Sequence, residues 1–167
     1  LRTLIGNLRP SDRFNVLLFS GGSTLMSEES LPAISENIDK AINVIDRQMG
    51  GGGTELLPAL KRALSLKRTN GFSRSVVIAT DGYVSVEEEA FDFIRTHLNN
   101  ANMFAFGIGS SVNRHLIEGM AHVGMSEPFV ITKPDEALAQ AERFRKIIQT
   151  PVLTNVKVTF NGLDTYD

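Results

Sequence analysis

Short, nearly continuous apolar runs alternate in this sequence with longer stretches whose apolar residues recur every three or four positions. Phe14-Asn15-Val16-Leu17-Leu18-Phe19, Ser75 to Thr80, Met103 to Ile108 and Phe129 to Ile131 read as strands buried on both faces. Between them lie helical stripes. Leu31, Ile34, Ile38, Ile42, Ile45 and Met49 mark one from 31 to 49, and Leu56, Leu57, Leu60 and Leu64 mark the next. Phe91, Ile94 and Leu98 sit on a helix near 87–99, Leu116, Ile117, Met120 and Val123 on a short one, and Leu138, Ala141, Phe144 and Ile148 on one running to about 149. Leu1, Leu4, Ile5 and Leu8 share a face of an opening helix that Pro10 stops. Strands apolar on both sides must be covered on both sides, so the pattern predicts a three-layer, doubly wound α/β fold. Its sheet is mostly parallel, with helices on each face.

Past Pro151 the period changes. Val156, Val158 and Phe160 alternate with Asn155, Lys157 and Thr159, as in a half-exposed strand. The expected organisation is one domain over 1–150, with 151–167 the start of a following β element. A chain of 167 residues fits one domain, and opening on Leu1 rather than Met suggests a piece of something longer. With no cysteine there is no disulfide, no thiolate-held zinc and no thiol nucleophile. The balance of 17 basic and 19 acidic residues argues against nucleic acid and against an anionic membrane surface as partner. No apolar stretch approaches the length of a membrane span.

In an open parallel sheet, ligands bind beyond the carboxyl ends of the strands. That selects four loops: Ser20 to Ser23, Gly50 to Thr54, Thr80 to Gly82, and Gly107 to Ser111. Two carry donors suited to a hard cation, the Thr54 hydroxyl and the Asp81 carboxylate. Plain structural roles exist for both. Thr54 suits a helix N-cap, and Asp81-Gly82 suits a tight turn.

The order F-N-V-L-L-F-S, G-G-G-G-T-E-L at 50–56, V-V-I-A-T-D-G at 76–82 and F-A-F-G-I-G at 104–109 resembles a von Willebrand factor type A domain over about residues 1 to 150. L-R-T-L-I-G-N-L-R-P-S-D-R-F-N at 1–15 and T-P-V-L-T-N-V at 150–156 are similar to the subgroup in inter-alpha-trypsin inhibitor heavy chains and their bacterial relatives. The resemblance implies a metal-ion-dependent adhesion site, in which magnesium or manganese is completed by an acidic residue of a protein partner. It implies Thr54 and Asp81 as metal ligands, and a partner-facing rim that includes Ser20, Gly53 and Gly82. It also hints at an extracellular or cell-envelope setting.

One departure counts against full metal binding. The family's first strand ends in D-x-S-x-S, which supplies a leading aspartate and two serine ligands, and no such pentad occurs in these residues. Magnesium takes about six oxygens in a tight octahedron, so Thr54 and Asp81 alone are expected to hold it weakly or not at all. The resemblance also places the absent strand at the centre of the sheet, between 14–19 and 75–80. Its loss leaves interior backbone groups unpaired. Three remedies are open: direct pairing of those two strands, an exchanged strand from another copy, giving a homo-oligomer, or residues 154–160 folding in; the first two are expected.

Other motifs fail on their own terms. The glycines at 50–53 lack the Gly-Lys-Ser/Thr ending of a phosphate loop, and Gly107-x-Gly109 lacks the third glycine of a dinucleotide fingerprint. His97, His115 and His122 lie on helices without close spacing, and Glu87-Glu88-Glu89 suits the first turn of a helix. The reading is a binding module rather than an enzyme. Its rivals are a structural scaffold with a vestigial metal site and a hydrolase or phosphoryl-transfer enzyme using Asp81.

Overall fold

The computed structural model describes residues 1–48, 53–81 and 87–149. In chain order these form α1 (Arg2–Gly6), β1 (Arg13–Phe14), β2 (Leu17–Phe19), β3 (Ser23–Leu25), β4 (Leu31–Pro32), α2 (Ser35–Asp46), α3 (Leu56–Ser65) and β5 (Arg74–Thr80). There follow α4 (Glu87–His97), β6 (Ala101–Ile108), α5 (Arg114–Val123), β7 (Phe129–Ile131) and α6 (Glu136–Gln149). Glycines 50–52, Gly82 and the proposed β element at 151–167 lie outside the described residues.

The fold is organised by β6, whose side chains are apolar whichever way they point. It pairs in parallel with β5, Val76 opposite Met103 and Val77 opposite Phe104, and with β7, Phe106 opposite Phe129. Met103 and Ala105 join one core with Leu56 and Leu60 of α3, Ile94 of α4, and Leu116 and Met120 of α5. Phe104 and Phe106 join a second with Phe129 and Phe144, against which Leu4 and Ile148 pack. Successive strand residues face opposite sides, so the alternation directly produces helices on both faces of a parallel sheet. The second core is aromatic. Phe106 stacks on Phe129 at 4.5 Å between centroids, and Phe144 sits edge-on to Phe104 (4.9 Å), Phe106 (5.3 Å) and Phe129 (5.7 Å). On the other face α4 and α5 close tightly because Gly119 has no side chain: a Cβ there would lie 2.2 Å from Cζ of Phe91.

The first third of the chain departs from the sequence reading. The strand expected over 14–19 is two short pieces, broken at Asn15, whose side-chain oxygen accepts from the Val16 amide while its nitrogen donates to the Ser27 carbonyl. The expected loop at 20–23 is a hairpin, with Leu17 opposite Leu25 and Phe19 opposite Ser23. The helix expected from 31 begins only at Ser35. Leu31 and Pro32 instead pair antiparallel with Phe14 and Arg13, because the proline ring disfavours helical backbone at the residue before it. Ile34, assigned to the helical stripe, is 48 % exposed.

Direct closure of the sheet does not occur among the described residues. β2 pairs only with β3, and β5 pairs only with β6. Between these two strands, whose facing edges are unpaired among the described residues, runs a cleft of about 1800 Å³, bordered by Phe14 to Ser20 and by Arg74 to Asp81.

Candidate functional site

The rim of this cleft at the carboxyl ends of β2 and β5 is where the sequence placed its site. Ser20, Gly53, Thr54 and Asp81 all border the cleft. The Glu55 amide donates to the Ser20 carbonyl at 2.9 Å, so the loop after β2 and the loop before α3 are tied by backbone. Asp81 follows β5 directly and lies beside the loop after β6: a Cβ added at Gly109 would be 3.9 Å from the Asp81 Cβ. Gly109 holds φ of +115°, a backbone conformation that suits glycine, and its amide donates to the Ile131 carbonyl. Two pairs of loops are thus brought together, 20 with 54 and 81 with 109.

Thr54 is not a helix cap. α3 begins at Leu56, its N-cap position is Glu55, and no side chain caps it. Among the described residues the half-buried Thr54 hydroxyl has no hydrogen-bond partner, and the exposed Asp81 carboxylate has neither a hydrogen bond nor an ion pair. A true cap is present elsewhere: Asn113 accepts from the Leu116 amide at 3.1 Å and donates to Glu87, fixing the start of α5. Ser20 and Gly53 are exposed on the rim. Gly82, also expected there, lies outside the described residues.

The oxygens present are the hard donors that magnesium and manganese prefer. Their number is small. Among the described residues no group of three or more His, Asp or Glu side chains gathers as a metal would require. Two of the three histidines are engaged with aromatic rings: His97 stacks on Phe93 at 4.0 Å and His115 stands edge-on to Phe91 at 5.9 Å.

The sequence model of the von Willebrand factor type A domain matches residues 1–125. The chain belongs to the von Willebrand factor type A family. A von Willebrand factor A domain-containing protein of Dictyostelium discoideum is 30 % identical over 165 residues, covering 95 % of this chain and 19 % of that protein. The inter alpha-trypsin inhibitor heavy chain 4 of Mus musculus is 28 % identical over 166 residues, covering 92 % of this chain and 18 % of its own length. This von Willebrand A domain therefore spans less than a fifth of those relatives. A von Willebrand factor type A structure from Catenulispora acidiphila superposes with TM-score 0.74 at 20 % identity, over 87 % of this chain and 35 % of that one. The BatB structure from Bacteroides thetaiotaomicron superposes with TM-score 0.66 at 13 % identity, over 89 % of this chain and 85 % of that one. Both share the fold. Von Willebrand A domains generally mediate protein–protein interaction and are generally non-enzymatic. No helix among the described residues is long and apolar enough to cross a membrane.

Sequence reasoning missed what surrounds the rim. Arg62 of α3 donates to the Ser23 carbonyl and hydroxyl, holding the hairpin to the helix. Val77, which the sequence assigns to a strand buried on both faces, is 37 % exposed, and Phe72, for which the sequence carries no expectation, is 45 % exposed; both border the cleft. An arginine on a helix and a valine in a strand carry no signal for either role.

Proposed function

We propose that this domain is a protein-binding module that engages an acidic residue of its partner through a divalent cation, magnesium or manganese. Thr54 and Asp81 supply two of the ligands, and Ser20, Gly53 and Gly82 form the rim against the partner. The observation that supports this reading is that both oxygens border one cleft and are committed to nothing else among the described residues. In a folded domain, an exposed carboxylate and a half-buried hydroxyl left without local work are free to serve a ligand.

The donors fit the ion in kind and not in number. Two protein oxygens leave about four positions to water, so binding competes poorly with the ion's own hydration. The 167-residue chain is therefore expected to bind magnesium only at millimolar concentration or more weakly, and sub-millimolar affinity by calorimetry would refute that. Manganese supplies the test of placement. Titrated into the labelled protein, it should broaden the amide signals of Gly53, Thr54 and Asp81 before any others, and Asp81→Asn should remove the effect. Broadening confined to Glu87, Glu88 and Glu89 would discard the assignment. The lack of a three-donor group among the described residues supports a second reading, a scaffold whose metal site is vestigial and whose helical surface makes the contacts. Absence of any selective broadening at the rim would favour it.

A further inference from the structure

Among the described residues Asn70 is the only asparagine followed by glycine; the other such pair in the sequence, Asn161-Gly162, lies outside them. Asn70 and Gly71 are both exposed, on the turn that leads from α3 to β5. The Phe72 amide closes that turn by donating to the Thr69 carbonyl at 3.3 Å. Gly71 holds φ of +81°, as a glycine does at the third position of a β-turn. Its amide donates no hydrogen bond among the described residues, and the Asn70 side chain makes none. Other asparagines are better restrained. Asn7, Asn37 and Asn102 donate to the carbonyls of Thr3, Pro32 and Met125, and each is followed by a bulky side chain.

The charge around the turn is of one sign. Lys67 and Arg68 precede Asn70, Arg74 follows it, and no carboxylate occurs between Leu56 and Thr80. None of these three cations forms an ion pair among the described residues. Arg74 is held below its ordinary value by burial and by the charge of Arg68, so the cations crowd one another. Nearby positive charge favours an anion. The anion in question is the Gly71 nitrogen stripped of its proton, which is a nucleophile placed next to the Asn70 side chain.

We propose that Asn70 is a site of spontaneous deamidation, in which the Gly71 nitrogen closes onto the Asn70 side chain and a carboxylate is left in the basic turn before β5. The Gly71 nitrogen gives up its proton and bonds to Cγ of Asn70. The Cγ–Nδ2 bond breaks, and Nδ2 takes a proton and leaves as ammonia. Water then opens the five-membered imide at either carbonyl. Attack at Cγ gives aspartate; attack at the backbone carbonyl gives isoaspartate, with the chain rerouted through Cγ. Nothing is oxidised or reduced. The reaction must rotate the peptide plane between residues 70 and 71, and glycine permits both senses of that rotation. The space is open as well, since a Cβ at Gly71 would meet nothing within 4 Å. The product sets a negative charge beside Lys67 and Arg68, and its isoaspartate form lengthens the backbone of the turn by one carbon. The proposal is independent of the metal reading.

The test is to hold the folded 167-residue chain at mildly alkaline pH in heavy-oxygen water and to map it by proteolysis and mass spectrometry over time. Residue 70 should convert before every other described asparagine. Its product should carry one heavy oxygen, be split between aspartate and isoaspartate, and appear with an equal amount of ammonia. Gly71→Ala should slow the conversion both in the folded chain and in urea, because the added Cβ hinders approach wherever the chain is. Lys67→Gln combined with Arg68→Gln should slow it more in the folded chain than in urea, because folding holds the cations around the turn. Three outcomes would each overturn the proposal: another described asparagine converting first, residue 70 converting in urea but not in the folded chain, or a folded-state rate indifferent to all of these substitutions.

Discussion

Phe144→Ala tests whether α6 is fastened to the sheet by the aromatic core. The ring is 1 % exposed and meets Phe104, Phe106 and Phe129 edge-on at 4.9 to 5.7 Å. Truncating a buried phenylalanine costs about 3–5 kcal/mol, the spread depending on how far the surroundings relax into the hole. Phe144 also borders the cleft, so its neighbours can move and water can enter, which places the expected loss near the lower end, at about 3 kcal/mol. With a urea m-value of about 2 kcal/mol/M, the midpoint should fall by about 1.5 M. The control is Leu138→Ala on the same helix, 62 % exposed, for which a change within about 0.5 kcal/mol is expected. Equal effects of the two substitutions would refute the packing argument, and with it the apolar wall that α6 gives the cleft.

Two further outcomes follow from local hydrogen bonding. Thr54→Ala should change stability by less than about 0.5 kcal/mol because the hydroxyl caps nothing, whereas Asn113→Ala should cost about 1 kcal/mol through loss of a real cap; chemical denaturation of both variants decides whether Thr54 is free for a ligand. Glu136 accepts from the Thr132 and Lys133 amides, which lowers its carboxyl pKa below the ordinary glutamate range. A depressed folded-state value stabilises above the unfolded pKa and is lost as pH falls through the folded one. Between about pH 5 and pH 3, stability should therefore decline more steeply for the natural chain than for Glu136→Gln, and parallel curves would remove that role.

The parallel sheet and the helices that cover it were legible because their apolar periodicity is dense: β5, β7 and α3 to α6 lie where Val76, Phe129, Leu60, Ile94, Leu116 and Phe144 place them. The hairpin was not. Ser20-Gly21-Gly22-Ser23 carries turn chemistry, but β3 is only Ser-Thr-Leu, too short and too polar to show a period. The start of α2 was misread because Leu31 and Ile34 keep helical spacing across Pro32, and only the proline's effect on its predecessor argues against it. At the site, the types and loops of Thr54 and Asp81 could be read from the chain. That Thr54 stands one residue short of the cap could not, since it depends on where the helix begins.

The Ser20 carbonyl and the Ser23 carbonyl and hydroxyl are all held by α3, through the Glu55 amide and the Arg62 guanidinium. Among the described residues the hairpin is thus hydrogen-bonded to that helix and its N-terminal cap, and not to the parallel sheet. If α3 loosens, β2 and β3 are expected to be released together with it, which hydrogen exchange would register as shared protection of 17–25 and 56–65. The position of the hairpin at the edge of the cleft is tied, among the described residues, to a single ten-residue helix.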